Sequence, residues 1–323
     1  MDTTVAAVSH KPIIQMKKDM KYALAVLLGI WVLYALLSLL APPVETVTKY
    51  ALTPAQTQWL RLSYILPLLF IWVTALFSFV WFRRYTALIK GSKEESAYKK
   101  ITIGIALLLA VIIFPSFITL IGVYHPGKYE VLRGVTIFRN YFTLALYLAA
   151  FYYLWQASKD LLNTIELGDV NGKFQNWVIA GLAVISVIYT WAVITNPFRT
   201  ISVDKAVQPT YFLPDIFIIF TIVIPYLFVW IMGAWTILNI WSYAKRVNGV
   251  IYRQTFYSVA QGLTFTIALV IFLQFLSQAN ASLGHAALKV ILVIIYFLLL
   301  AIATGYLFIA RGARKLSRIE GIE

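Results

Sequence analysis

Long, nearly uninterrupted apolar runs alternate with short polar segments along the whole chain. Eight runs are long enough to cross a bilayer, because about 20 helical residues cover a hydrocarbon core of roughly 30 Å. Each run is rich in Leu, Ile, Val and Phe and lacks the strict alternation of a transmembrane barrel strand. The pattern predicts eight transmembrane helices, near 22–41, 59–82, 101–123, 137–157, 176–195, 212–240, 256–278 and 287–310.

The apolar pattern also repeats. Residues 65–117 align without a gap with residues 223–275, with 11 identities in 53 positions. Looser similarity extends on both sides of this core. The chain is therefore interpreted as an N-terminal tail at 1–20, a four-helix repeat at 21–166, a polar linker at 167–175 and a second four-helix repeat at 176–320. The identities are Pro67 with Pro225, Leu69 with Leu227, Phe70 with Phe228, Trp72 with Trp230, Tyr85 with Tyr243, Gly91 with Gly249, Gly104 with Gly262, Ala110 with Ala268, Ile113 with Ile271, Phe114 with Phe272 and Phe117 with Phe275.

An even number of helices in each repeat fixes the relative orientation of the two copies. The second copy enters the membrane from the same side as the first, so the copies are parallel and relate by a pseudo-twofold axis along the membrane normal. A homodimer of four-helix proteins is the natural ancestor of such a chain. The predicted fold class is an all-α polytopic membrane bundle of eight transmembrane helices, arranged as two parallel four-helix repeats.

Composition and charge agree with a membrane location. Hydrophobic residues make up 61% of the chain and charged residues 12%, against about 25% charged in soluble domains. The net charge of +14 comes from short basic clusters at the ends of the apolar runs, and not from one continuous basic face as nucleic-acid binding requires. With both termini in the cytoplasm, 19 Lys and Arg residues fall inside and 8 outside, as the positive-inside rule expects. The expected location is a cell membrane, and the expected partners are membrane lipids and other membrane-protein subunits, without nucleic acid.

Few polar side chains lie within the apolar runs. Gln274 and Gln278 are one turn apart on the seventh run, and Ser116 and Gln261 lie on the third and seventh runs. A Gln amide in hydrocarbon needs hydrogen-bonding partners, so this face is expected to point into the bundle. These four residues are candidates for a substrate path. The alternative is that they join helices by hydrogen bonds.

Two further sets of candidates concern shape and the outer rim. Pro67, Pro225 and Pro115 are hinge or kink candidates, because proline removes a backbone donor inside a helix. The alternative is a packing kink without a functional role. Arg139 and Asp215 are candidates for an outer vestibule, and the alternative is that they are solvated helix ends.

Several function classes lack their required residues in this sequence. The absence of cysteine removes disulfides and thiolate chemistry, and the three histidines lack the spacing of a haem or metal site. Glu94 and Glu95, adjacent in a Lys-rich loop, are interpreted as balancing charge and not as binding Mg²⁺. We expect no cofactor, no metal and no enzymatic activity, since an enzyme acting on lipid would need an acid–base pair that is not visible.

Two functional hypotheses follow from the sequence. The first is a passive or weakly coupled carrier or channel for a small, uncharged or lipid-like solute, which passes between the two halves. The second is a non-catalytic membrane scaffold, or an accessory or sensory subunit of a larger membrane complex, with the basic loop at 83–100 as its contact surface. A carrier predicts a polar cavity along the seam between the halves, whereas a scaffold predicts a dry, tightly packed seam.

Overall fold

The computed structural model describes residues 11–40, 54–124, 129–165, 200–203, 206–209, 219–247, 249–280 and 284–319, with a few more between 176 and 187. Within them the chain is helical apart from a small hairpin. The helices are α1 (Lys11–Leu40), α2 (Pro54–Leu88), α3 (Glu95–Val123), α4 (Tyr129–Thr164), α5 (Ile224–Arg246), α6 (Val250–Asn280) and α7 (Gly284–Ile319). A π-helical turn at Ile219–Val223 leads into α5. The hairpin pairs β1 (Thr200–Val203) with β2 (Ala206–Pro209) in antiparallel register, with Thr200 opposite Pro209.

Six of these helices are long and apolar enough to cross a membrane, and the protein is a multi-pass helical membrane protein. The predicted spans at 22–41, 59–82, 101–123, 256–278 and 287–310 are confirmed as apolar helices, and the span at 212–240 is confirmed from Ile224 onward. The run at 137–157 lies within α4, which is a 36-residue helix but is not among the six. Most of the run at 176–195 lies outside the described residues. The hairpin was not predicted, because short strands between apolar runs leave no hydropathy signal.

The six helices α2 to α7 form a closed ring. Each helix packs against its neighbours in chain order, and α7 closes the ring against α2. Within α2–α4 and within α5–α7, successive helices are antiparallel. The closing contact between α2 and α7 joins two parallel helices, and so does the contact between α4 and α5, where the first half of the chain meets the second. These two contacts form the seam between the halves.

Each of the two turns at one end of the ring contains a glycine with positive φ. Gly91 has φ of 88° and Gly249 has φ of 94°, a left-handed conformation that strains any residue with a Cβ. The Gly91 amide also donates to the Glu95 carboxylate at 2.6 Å. We call the end formed by the α2–α3 turn at 89–94 and the α5–α6 turn at 247–249 the turn end.

The core of the ring is rich in aromatic residues, and the outer surface is apolar. Trp230, Phe82 and Phe151 are buried in this core, whereas Trp72 is buried under α1. Large apolar residues that correspond in the repeat alignment are exposed together, Phe70 (55%) with Phe228 (57%) and Phe114 (52%) with Phe272 (46%). An apolar outer surface of this kind is stable only against lipid.

Helix α1 lies outside the ring, mainly against α2. Leu27 packs on Trp72 and Leu76, and the Trp31 indole donates to the carbonyl of Ile65 at 3.2 Å. The helix is antiparallel to α2, so its first residues lie at the turn end, as do the last residues of α7. Only 11% of its apolar span is buried, so most of its surface is available to lipid or to another chain.

Candidate functional site: a cavity at the turn end

A cavity of about 520 Å³ opens at the turn end, between the α2–α3 turn and the α5–α6 turn. Its volume falls within the roughly 300–1,000 Å³ of small-molecule sites. The lining comes from both halves of the chain, and it combines aromatic rings with one carboxylate, one ammonium and several hydroxyl groups. The lining residues are Tyr85, Leu88, Ile89, Lys90, Ser92, Glu94, Ile165, Tyr243, Val247, Tyr252 and Phe256.

Aromatic side chains from α2, α3, α5 and α6 hold the cavity in shape. The Tyr85 and Tyr98 rings meet edge to face with centroids 4.7 Å apart, and Tyr243 and Phe256 do the same at 4.9 Å. Tyr98 and Phe256, which correspond in the repeat alignment, lie 6.4 Å apart. Each pair gives about 0.5–1.5 kcal/mol beyond its buried area. The frame is therefore rigid, and the two halves contribute to it in the same way.

The two adjacent glutamates have different surroundings. Glu95 is half-buried and forms an ion pair with the exposed Lys99 at 2.5 Å on the same helix. Glu94 lines the cavity, and its carboxylate accepts a hydrogen bond from the Tyr243 hydroxyl at 2.8 Å. Because Tyr243 lies in α5, in the second half of the chain, this bond joins the α2–α3 turn to the other half. Among the described residues, no Lys or Arg pairs with Glu94, so its charge faces the cavity with a single neutral donor.

The interpretation of Glu94 and Glu95 as a charge-balancing pair therefore fits Glu95 and leaves out the role of Glu94. The sequence does contain a signal for it. In the repeat alignment Tyr85 and Tyr243 are identical, whereas Glu94 corresponds to Tyr252. Glu94 is thus a carboxylate at a position where the second half of the chain has an aromatic ring. The cavity lining therefore differs between the two halves at this position.

The predicted substrate-path residues do not assemble into a polar lining within the described residues. Ser116 is half-buried and donates to the Ile112 carbonyl of its own helix at 2.7 Å. Gln261 is exposed on α6, at the position that corresponds to the exposed Ile103. The side chains of Gln274 and Gln278 lie outside the described residues.

The hinge and vestibule candidates occupy varied positions. Pro67 is buried inside α2, and Pro115 is half-buried inside α3. Pro225 lies in the first turn of α5, directly after the π-helical turn. Arg139 is half-buried and donates to the amide oxygen of Asn140 at 3.3 Å. Asp215 lies outside the described residues.

The seam between the halves is closely packed where it is described. On one side the Ser78 hydroxyl donates to the Tyr306 carbonyl at 2.7 Å. On the other side the Asn239 amide donates to the Ser158 hydroxyl at 3.1 Å, and a Cβ added at Gly233 would lie 2.8 Å from the Phe151 ring. These polar groups bond to each other across the seam.

The described residues contain no group of three His, Asp or Glu side chains that could hold a metal ion. In comparisons with protein families, with curated proteins and with solved structures, no match to this chain was found.

Proposed function

We propose that the protein is a non-catalytic membrane subunit, accessory or sensory in role, which presents a binding cavity on a rigid ring of helices. The single observation that carries this proposal is the packed seam. A carrier that moves its solute between two rocking halves needs a seam that can open to water. Here the two seam contacts are closed by side chains with little or no exposed surface.

Burial along the seam supports this reading. Ser78 and Ser158 are each 0% exposed, and each hydroxyl has a partner on the opposite half. Phe151 and Tyr306 lie at comparable places on α4 and α7, and both are fully buried. Opening the seam would expose these groups and break their contacts, and a buried polar group that loses its partner costs about 1–3 kcal/mol.

The same contacts support the proposed duplication with a pseudo-twofold axis. Helix α2 packs on α7, and α5, which corresponds to α2 in the repeat alignment, packs on α4. Helices α4 and α7 are each 36 residues long. Two copies of one unit that meet through an isologous contact would each pack the same helix against the other copy in this way.

The seam can be tested with thiol chemistry, because the chain contains no cysteine. The single variants Ser78→Cys and Ser158→Cys place a thiol at each seam contact. Thiol reagents react with the thiolate, which forms only where water reaches the sulfur. We expect both variants to stay unlabelled by a small methanethiosulfonate in native membranes and to react fully after denaturation.

The matched control is Ser92→Cys, at an exposed serine of the turn end, which should react within minutes. Labelling of Ser78→Cys or Ser158→Cys at a rate near that of the control would contradict the proposal, because it would mean that the seam opens.

A passive carrier or channel is the second candidate, and one observation favours it. The cavity lies between the two halves at one end of the ring, where a carrier closed at its opposite end would have its vestibule. The discriminating experiment is a flux assay in reconstituted vesicles with the double variant Gln274→Leu and Gln278→Leu. A solute flux that the double variant abolishes would support the carrier and would contradict the subunit proposal.

A further inference from the structure

The charged groups that line the turn-end cavity indicate which class of ligand it binds. Glu94 provides a carboxylate, and three tyrosines and one phenylalanine line the same cavity. Among these rings Tyr85, Tyr243 and Phe256 are almost fully buried, and Tyr252 is half-buried. A carboxylate next to aromatic rings is an arrangement that recognises an organic ammonium group, because the negative faces of the rings and the carboxylate attract the same cation.

The opposite charge is also present in the lining. Lys90 and Ser92 belong to the same turn and provide an ammonium and a hydroxyl group, which suit a phosphate ester. A ligand that satisfies both sets carries an ammonium and a phosphate on one short linker. A ligand with only a positive charge would leave Lys90 without an anionic partner in the cavity. A ligand with only a negative charge would be repelled by Glu94.

The asymmetry between the halves points to the same ligand. The cavity takes matched residues from both halves, Tyr85 with Tyr243 and Ile89 with Val247. The charged positions are not matched, since Glu94 corresponds to Tyr252 and Lys90 to Asn248. Both charges therefore come from the first half alone, and they give the cavity lining a direction.

We propose that the turn-end cavity binds a zwitterionic ammonium phosphate, with its ammonium against Glu94 and the aromatic rings and its phosphate at Lys90 and Ser92. This inference rests on the proposed function, because it assigns the ligand that the subunit would hold. The same chemistry occurs in a free phosphoammonium compound and in a zwitterionic lipid headgroup. The cavity is lined by residues at the ends of the membrane-crossing helices and by the turn that holds Lys90 and Ser92, a depth that suits either source.

The test uses the full chain, purified in a maltoside detergent that carries no ammonium group. Phosphocholine is titrated by calorimetry and compared with 3,3-dimethylbutyl phosphate, which has the same shape but no ammonium. We expect the neutral-headed analogue to bind at least about tenfold more weakly, a difference of about 1.4 kcal/mol. Equal binding of the two compounds would overturn the proposal.

Three variants assign the contacts. Glu94→Gln keeps an acceptor for the Tyr243 hydroxyl and removes the charge, so it should fold and lose about tenfold in phosphocholine affinity. Lys90→Gln should weaken phosphocholine and leave choline, which has no phosphate, unaffected. The matched control Glu95→Gln removes the neighbouring charge, which lies outside the cavity and pairs with Lys99, and should bind as wild type.

Competition separates the two sources of the ligand. Short-chain phosphatidylcholine, used below its micelle concentration, should displace phosphocholine at lower concentration if the headgroup of a lipid is the natural ligand, and at equal or higher concentration if the ligand is free. Both results support the shared chemistry. Failure of phosphocholine to bind wild type, or unchanged binding by Glu94→Gln, would overturn the inference and leave the seam result from the cysteine variants unaffected.

Discussion

The helix pairs α3–α4 and α6–α7 occupy corresponding places in the two halves, yet they pack in different ways. In the first pair, Gly104 faces a side chain: a Cβ added there would lie 2.7 Å from Cγ of Leu154. In the second pair, Gly262 faces backbone: an added Cβ would lie 2.6 Å from the Gly305 carbonyl oxygen and 2.8 Å from the Ile309 amide nitrogen. The matched glycines thus allow a side-chain contact in one half and a closer backbone contact in the other.

The two helix pairs therefore differ in how closely their backbones approach. Small residues let membrane helices approach, since packing and not the hydrophobic effect drives their association in lipid. Gly305 on α7 and Gly262 on α6 face each other, and Gly312 lies against Val259 with an added Cβ only 2.5 Å from its Cγ2. The first pair instead carries an ion pair between its helices, Lys100 with Asp160 at 2.6 Å. The comparison predicts a graded response to substitution.

The largest effect is expected from Gly262→Ala. The added methyl group meets backbone atoms that cannot rotate away, so α6 and α7 have to separate, and overpacking of this kind costs about 1–3 kcal/mol. The midpoint of unfolding in mixed detergent micelles measures the loss. Gly29→Ala on α1 is the control, because nothing lies within 4 Å of an added Cβ there, and it should leave the midpoint unchanged or raise it slightly. An equal response from the two variants would mean that the close contact of α6 and α7 is absent.

A smaller loss is expected from Gly104→Ala. The Leu154 side chain can change rotamer to admit the methyl group, at a cost of about 0.5–1.5 kcal/mol. The same unfolding midpoint should fall by less than it does for Gly262→Ala. If Gly104→Ala proves the more damaging of the two, the contrast between the helix pairs is reversed and the comparison is wrong.

The smallest effect is expected from Asp160→Asn. The Lys100 and Asp160 side chains are 30% and 26% exposed, and a partly exposed pair contributes under about 1 kcal/mol. The Ser96 hydroxyl, 3.1 Å from the Asp160 carboxylate, can still donate to the amide oxygen of the variant. Raising the salt concentration should lower the wild-type midpoint toward that of the variant, since screening weakens the same pair. Salt-independent destabilisation would contradict an electrostatic role.

Much of the fold was predictable from the sequence because hydropathy determines which segments enter lipid. Gly91 and Gly249, which are identical in the repeat alignment, both adopt positive φ at the two turns. Helix α4 was predicted at 137–157 although its tyrosines and Trp155 lower its hydropathy, because the apolar run is long enough to cross a bilayer.

The site was less predictable, for a physical reason. Ser116 and Gln261 were predicted as substrate-path residues because they are polar residues within apolar runs. A hydroxyl can instead bond to its own helix, and a Gln can lie on the outer face. Glu94 and Glu95 are adjacent in a short loop, and sequence spacing cannot tell which carboxylate points into a cavity. That direction depends on the α5–α6 turn, which brings Tyr243 within 2.8 Å of Glu94 from far along the chain.

The central claim is that the two halves are parallel copies, and the sidedness of the two turns tests it most directly. Ser92 and Val250 correspond in the repeat alignment and are both exposed at the turn end, so Ser92→Cys and Val250→Cys are made singly in the cysteine-free chain. An impermeant maleimide is applied to intact cells and to permeabilised cells. Both cysteines are predicted to react only after permeabilisation, because the positive-inside rule predicts a cytoplasmic position for the basic turn end. Labelling of one cysteine from outside and the other from inside would contradict the parallel arrangement.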